Sequence, residues 1–264
     1  MTAQFRRHVL HVGAALSVLL IAFATALPVA PAQAPRKVTV VSFGLFGGQD
    51  VFRSEATGAA QIVASRFGGD PVVVRFNSAR TADATIETLA ATLDKTAKGM
   101  DRSSDILFLI LTSHGSPDGL AVSAGRRGVS VDGTKTAFRP TRVRTLTPSQ
   151  LGAMLERTGV RHKVVIISAC YSGIFIPRLA NANTLVITAA DRHHPSFGCE
   201  DKATWTYFGD AFFNSALRQA QTLKEAFTQA RSLVRAWELR SGFEPSNPQI
   251  AGGENVEPLL VARP

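Results

Sequence analysis

The chain has 264 residues, 29 Lys+Arg against 20 Asp+Glu for a formal net charge of +9, and 45% hydrophobic residues. That much apolar material excludes an intrinsically disordered chain. Two cysteines exclude a disulfide-dense scaffold and a multi-cysteine zinc cluster.

The N-terminus reads as an export signal. Arg6, Arg7 and His8 form a short basic start, and residues 9–27 are an apolar run interrupted only by His11 and by small or weakly polar residues. Pro28-Val29-Ala30-Pro31-Ala32 supplies the small-residue tail of a cleavage site, expected after Ala32 because Pro35 would directly follow a cut at Ala34. The run nearly reaches spanning length, so an uncleaved anchor is the rival reading. Either way the remaining chain is expected to work outside the cytoplasm, secreted or periplasmic, with membrane association through the N-terminal segment left open. The expected organisation is a signal at residues 1–32, one domain over 36–243 and a C-terminal tail over 244–264.

After the signal, short apolar runs alternate with longer amphipathic ones. Residues 38–43 read as a strand and 54–67 as a helix. Residues 71–76, with three consecutive valines, read as a second, buried strand. Residues 81–98 place Ile86, Leu89, Ala90 and Leu93 on one helical stripe. Residues 105–112 contain Ile-Leu-Phe-Leu-Ile-Leu, too apolar for a strand with one wet face. Residues 125–144 lack helical patterning and are expected to form a hairpin or loop. Residues 148–157 read as a helix with Thr147 as N-cap and Pro148 at its first position. Residues 164–167 and 184–190 read as strands, and 206–219 and 222–240 as helices. This alternation implies βαβ units and an α/β fold with a mainly parallel sheet covered on both faces.

In an open parallel sheet, ligands bind beyond the carboxyl ends of the strands. One apolar run is followed by Thr112-Ser113-His114-Gly115-Ser116 and another by Ser168-Ala169-Cys170-Tyr171-Ser172-Gly173. If the two strands are neighbours, a histidine and a cysteine meet in one crevice. Such a pair is a nucleophile with its base: the thiolate attacks a carbonyl, and the imidazole takes the thiol proton and returns it to the leaving amine. The backbone N–H groups of Gly115 and Cys170 are the natural oxyanion donors. The residues alone leave an alternative open, a non-catalytic binding domain stapled by a Cys170–Cys199 disulfide. Asp191, His193, His194 and Cys199 make only a weak metal pattern, and neither a metal nor a cofactor is expected.

These motifs resemble the legumain (asparaginyl endopeptidase) family of caspase-like cysteine peptidases, in its bacterial exported form. Thr188-Ala189-Ala190, Ser196-Phe197-Gly198-Cys199 and Thr206-Tyr207-Phe208-Gly209-Asp210 continue the family's order. The resemblance implies a caspase-like three-layer α/β/α sandwich and a cysteine endopeptidase that cleaves protein or peptide substrates after Asn or Asp. It implies His114 as general base and acid, Cys170 as nucleophile, and Gly115 and Cys170 as the oxyanion hole. It implies Arg53, Ser196 and Asp210 as substrate-binding residues. Ser168, also read as substrate-binding, stands where the family carries a Glu, so one wall of the pocket loses a negative charge. Ser113 stands where the family carries an Asp. The family's His-orienting Asn aligns near Val51, so that support is missing or comes from elsewhere. A transpeptidase with the same dyad is the second reading, since an amine can capture the acyl-enzyme in place of water.

The charge is local. Residues 126–163 hold nine basic and two acidic residues, a balance of +7. The chain beyond the signal carries the same +7, so its other residues sum to zero. No nucleic-acid partner is expected; a basic rim beside the site, facing acidic proteins or an anionic membrane, is the sharper expectation.

Overall fold

In the computed structural model the described residues are 36–78, 80–127, 138–140, 142–200 and 202–263. The export segment lies outside them. Five strands run in parallel: β1 (Val38–Gly44), β2 (Gly69–Phe76), β3 (Ile106–Thr112), β9 (His162–Ser168) and β10 (Thr184–Thr188). With β11 (Gln249–Ala251), antiparallel to β10, they form one sheet in the order β11-β10-β9-β3-β1-β2. The segment read as a tail thus supplies the sixth strand.

Helices cover both faces, which is why the central strands are apolar on both sides. On one face α1 (Asp50–Phe67) and α6 (Leu223–Ser241) bury Val63, Phe67, Phe227 and Val234 against Val40, Phe108, Ile110 and Ile166. On the other, α2 (Ile86–Lys98) and α3 (Pro148–Thr158) bury Leu89, Leu93, Leu151 and Leu155 against Val41, Leu109, Leu111 and Val165. The result is the expected three-layer α/β/α sandwich. Helix starts follow their caps: Thr85 and Thr147 each form a capping box, and Pro148 opens α3. The capping box moves the start of α2 from the expected residue 81 to Ile86.

Three expectations need correction. The strand β2 is not buried: it is the sheet edge, its valines are partly open, and Val72 is 40% exposed. A run of valines marks a strand but says nothing of its rank in the sheet. Helix α1 begins at Asp50, four residues before expected, because the chain turns directly from β1 over the strand ends. The stretch after Thr206 is helical but irregular: α5 (Tyr207–Gly209) passes into a π-type turn at Asp210–Ser215 and a 3-10 turn at Ala216–Arg218.

Beside the main sheet, β4 (Gly115–Ser116), β5 (Gly119–Val122) and β8 (Arg144–Leu146) form a small antiparallel sheet. Strands β6 (Gly125–Arg127) and β7 (Phe138–Pro140) pair as a hairpin. This is the insertion expected between residues 125 and 144. Part of the basic segment lies outside the described residues. Of the rest, Arg144 pairs with Glu87, and Arg157 with Asp94 at 3.0 Å, so some of the local charge is neutralised.

Candidate active site

The site is built by strand register. Strands β3 and β9 are parallel neighbours in which Thr112 lies opposite Ser168. His114 and Cys170 each follow two residues after those partners, so both leave the sheet at one level and one edge. Ser113 N–H donates to the Ser168 carbonyl (3.2 Å) and Ser113 Oγ–H to the Ala121 carbonyl (2.5 Å), which ties the two exits together. Gly115 then lies directly on the Cys170 backbone: a Cβ at position 115 would stand 1.9 Å from the Cys170 carbonyl oxygen. Only glycine permits that approach.

Cys170 Sγ is half-buried and lies against Ser196. The Ser196 N–H donates to Sγ at 3.3 Å, the Ser196 hydroxyl lies at 3.8 Å, and the thiol reaches the Ser196 carbonyl at 3.3 Å. The next residue, Tyr171, has φ +55, a left-handed conformation uncommon for a residue with a side chain. Its N–H donates to the His194 carbonyl (2.9 Å), which holds the turn. A sharp turn after the cysteine lifts the side chain off the strand end.

His114 is supported by a residue the motifs did not reveal. Gln49, in the loop between β1 and α1, places its Oε1 2.5 Å from His114 Nε2, and its amide Nε2 donates to the Cys199 carbonyl at 2.5 Å. The loop is pinned by Leu45 N–H to the Thr112 carbonyl and Gly47 N–H to the Ser123 carbonyl. Because the NH2 end of Gln49 is committed to a carbonyl, its oxygen faces the ring, so the proton sits on His114 Nε2. Nδ1 is left with its lone pair, the form a base requires. Phe46 and Phe52 meet the imidazole edge-on, with ring centroids 4.7 and 4.9 Å away. Burial holds the His114 pKa below its usual value. Gln49 lies two residues before Val51, the position near which the resemblance places the family's His-orienting Asn.

The two cysteines are free thiols, so the Cys170–Cys199 disulfide of the alternative reading is not formed. Burial, followed by the neighbouring Cys170 charge, pushes the Cys199 thiol up. Of the expected substrate-binding residues, Ser196 touches Cys170 directly, and Ser168 Oγ lies 3.1 Å from Thr206 Oγ1. Arg53 is exposed on α1, pairs with Asp50 at 3.2 Å and lies over the Phe76 ring. Asp210 accepts from Asn214 (2.7 Å) and lines a cleft of about 330 Å³ with Trp205, Tyr207, Trp237 and Arg240. Among the described residues no ion pair or hydrogen bond joins Arg53 to Asp210. Asp191 accepts from His194 Nδ1 at 2.8 Å, and no group of His, Cys, Asp and Glu suited to a metal ion occurs among the described residues.

The fold, with a histidine and a cysteine following two neighbouring strands at one end of the sheet, is that of a caspase-like, cysteine-type peptidase. Among solved structures, caspase-1 from Spodoptera frugiperda is similar over 86% of this chain and 93% of its own, with 16% identity and a TM-score of 0.52. At that identity the likeness shows the fold alone. The model of the Peptidase C13 family matches residues 90–255, and the chain belongs to that legumain-like family. No curated protein sequence matches it.

Proposed function

We propose that this cysteine peptidase uses a Cys170–His114 dyad to cleave exported or extracellular proteins internally, after Asn or Asp. The observation that carries the reading is the register of β3 against β9, which delivers both side chains to one edge. His114 Nδ1 takes the Cys170 proton, and the thiolate attacks the scissile carbonyl. The developing oxyanion is received by the N–H groups of Gly115 and Cys170. Imidazolium then returns the proton to the leaving amine, and water, activated by the same His114, hydrolyses the thioester. Ser196 lies against the nucleophile, its N–H reaching Sγ at 3.3 Å.

Specificity for Asn or Asp rests on the legumain resemblance, which implies Arg53, Ser196 and Asp210 as substrate-binding residues; Ser196, against the Cys170 thiol, supports it. Export rests on the basic and apolar pattern of residues 1–32. The test is cleavage-site profiling on a peptide library beside the Cys170→Ala variant. Cuts after Asn or Asp that vanish in the variant support the reading; undiminished cleavage by folded Cys170→Ala overturns it.

A further inference from the structure

Beneath the site lies a carboxyl group that the mechanism does not use. Glu55, on α1, is 0% exposed. Its Oε1 accepts from Thr112 Oγ1 at 2.8 Å, and its Oε2 accepts from the Thr206 backbone N–H at 2.8 Å. Ser168 Oγ lies 3.1 Å from Thr206 Oγ1, beside the carboxyl. Gly209 closes the space: a Cβ there would stand 2.0 Å from Oε2. Burial pushes the Glu55 pKa up, against the hydrogen bonds that pull it down. No Lys, Arg or His pairs with it among the described residues. Burying a carboxyl without a cation opposes folding, and an apolar side chain of similar volume would fill the space at lower cost.

Its partners give Glu55 a different importance. Thr112 is two residues before His114, and Ser168 is two residues before Cys170. Thr206 is followed by Tyr207, whose N–H donates to the Phe197 carbonyl at 3.0 Å, and Phe197 follows Ser196, the residue against the thiol. One side chain therefore holds the base of the His114 strand and the segment behind Ser196 directly, and the base of the Cys170 strand through the Ser168–Thr206 hydroxyl contact. We propose that Glu55 is a positioning residue: it fixes the relative height of the His114 and Cys170 strand ends and the seat of Ser196, and so sets the geometry of the dyad without touching substrate. The inference rests on the dyad reading above.

The test compares Glu55→Met, Glu55→Gln and Thr112→Val with the wild type and with Cys170→Ala. The readouts are melting temperature, kcat and KM on a peptide substrate, and the pH profile of Cys170 alkylation by iodoacetamide, followed by peptide mass. Met fills the space without hydrogen bonds. Gln keeps an acceptor for Thr206 and a donor for the Thr112 hydroxyl, which can turn to accept it. Val removes the single hydroxyl beneath the His114 strand.

The expected result is a folded Glu55→Met with kcat lowered tenfold or more, KM within twofold, and a displaced alkylation profile. Glu55→Gln recovers most of kcat, and Thr112→Val falls between. A group that only holds the fold together would change the melting temperature and leave kcat and the alkylation profile untouched. Wild-type kcat and profile in folded Glu55→Met overturn the proposal. Should Glu55→Met not fold, Thr112→Val decides: a lower kcat at constant KM supports it, and an unchanged kcat overturns it. Turnover by Cys170→Ala overturns the dyad itself, a failure distinct from wild-type behaviour of the Glu55 variants beside a dead Cys170→Ala.

Discussion

The Gln49 side chain stands between His114 and Cys199, its oxygen 2.5 Å from His114 Nε2 and its nitrogen 2.5 Å from the Cys199 carbonyl. The contact selects one imidazole tautomer and joins the loop after β1 to the loop after β10. Gln49→Ala should lower kcat by about tenfold to a hundredfold with little change in KM, within the range that general acid–base catalysis contributes. Gln49→Glu should keep the acceptor for Nε2 but lose the donor to Cys199. Steady-state kinetics on a peptide substrate reads both.

Burial holds the His114 pKa below the usual 6.5, so the neutral base persists into mild acid. The acid limb of kcat/KM should therefore lie below pH 6.5. Phe46→Ala, which opens the ring to water, should move that limb up toward 6.5. The same shift makes folding pH-dependent. A histidine whose folded pKa is depressed contributes stability above its unfolded pKa and loses it as pH falls. His162 is held low by burial as well, so the thermal midpoint should fall as pH drops below about 6.5. A midpoint that rises there would contradict the assignment.

Gly115→Ala places a Cβ where the structure leaves 1.9 Å to the Cys170 carbonyl oxygen. The loops must part, and an oxyanion donor moves. The expected loss in kcat is about 10²-fold or more, the size of losing one such donor. Near-wild-type turnover would show that Gly115 serves neither role.

Both cysteines are free. Thiol titration of the native protein should count two, and Cys170→Ala one. Cys199→Ser, which preserves the backbone carbonyl that receives Gln49, should retain most activity, whereas Cys170→Ala should retain none.

Phe108 is fully buried in the middle of β3 and stacks on Phe67, with ring centroids 5.4 Å apart. Phe108→Ala should cost about 3–5 kcal/mol of stability, read as a lower urea midpoint.

Much of the fold was legible because its signals are local. Thr147-Pro148 marks a helix start whatever surrounds it, and the Ile-Leu-Phe-Leu-Ile-Leu run can only be a strand covered on both sides. Strand rank was not legible: Val72, Val73 and Val74 look like core and lie at an edge. The short strand at Gln249–Ala251 carries too few residues for a periodic pattern, and pairing with β10 alone makes it a strand. Gln49 was missed for a similar reason, since glutamine in a loop has no chemical signature until a histidine is placed beside it.

The sequence by itself determined the α/β/α class, the strand ends at His114 and Cys170, and the family resemblance, because periodicity, caps and short motifs are properties of neighbouring residues. Only the tertiary structure decided that Thr112 pairs with Ser168, that Gln49 holds the imidazole, that Asp210 shares a cleft with Arg240 and not Arg53, and that Glu55 sits beneath the His114 and Cys170 strand ends. Those relationships join residues as many as 151 positions apart. They depend on how strands order and helices pack, and burial then fixes what each polar group must bond to.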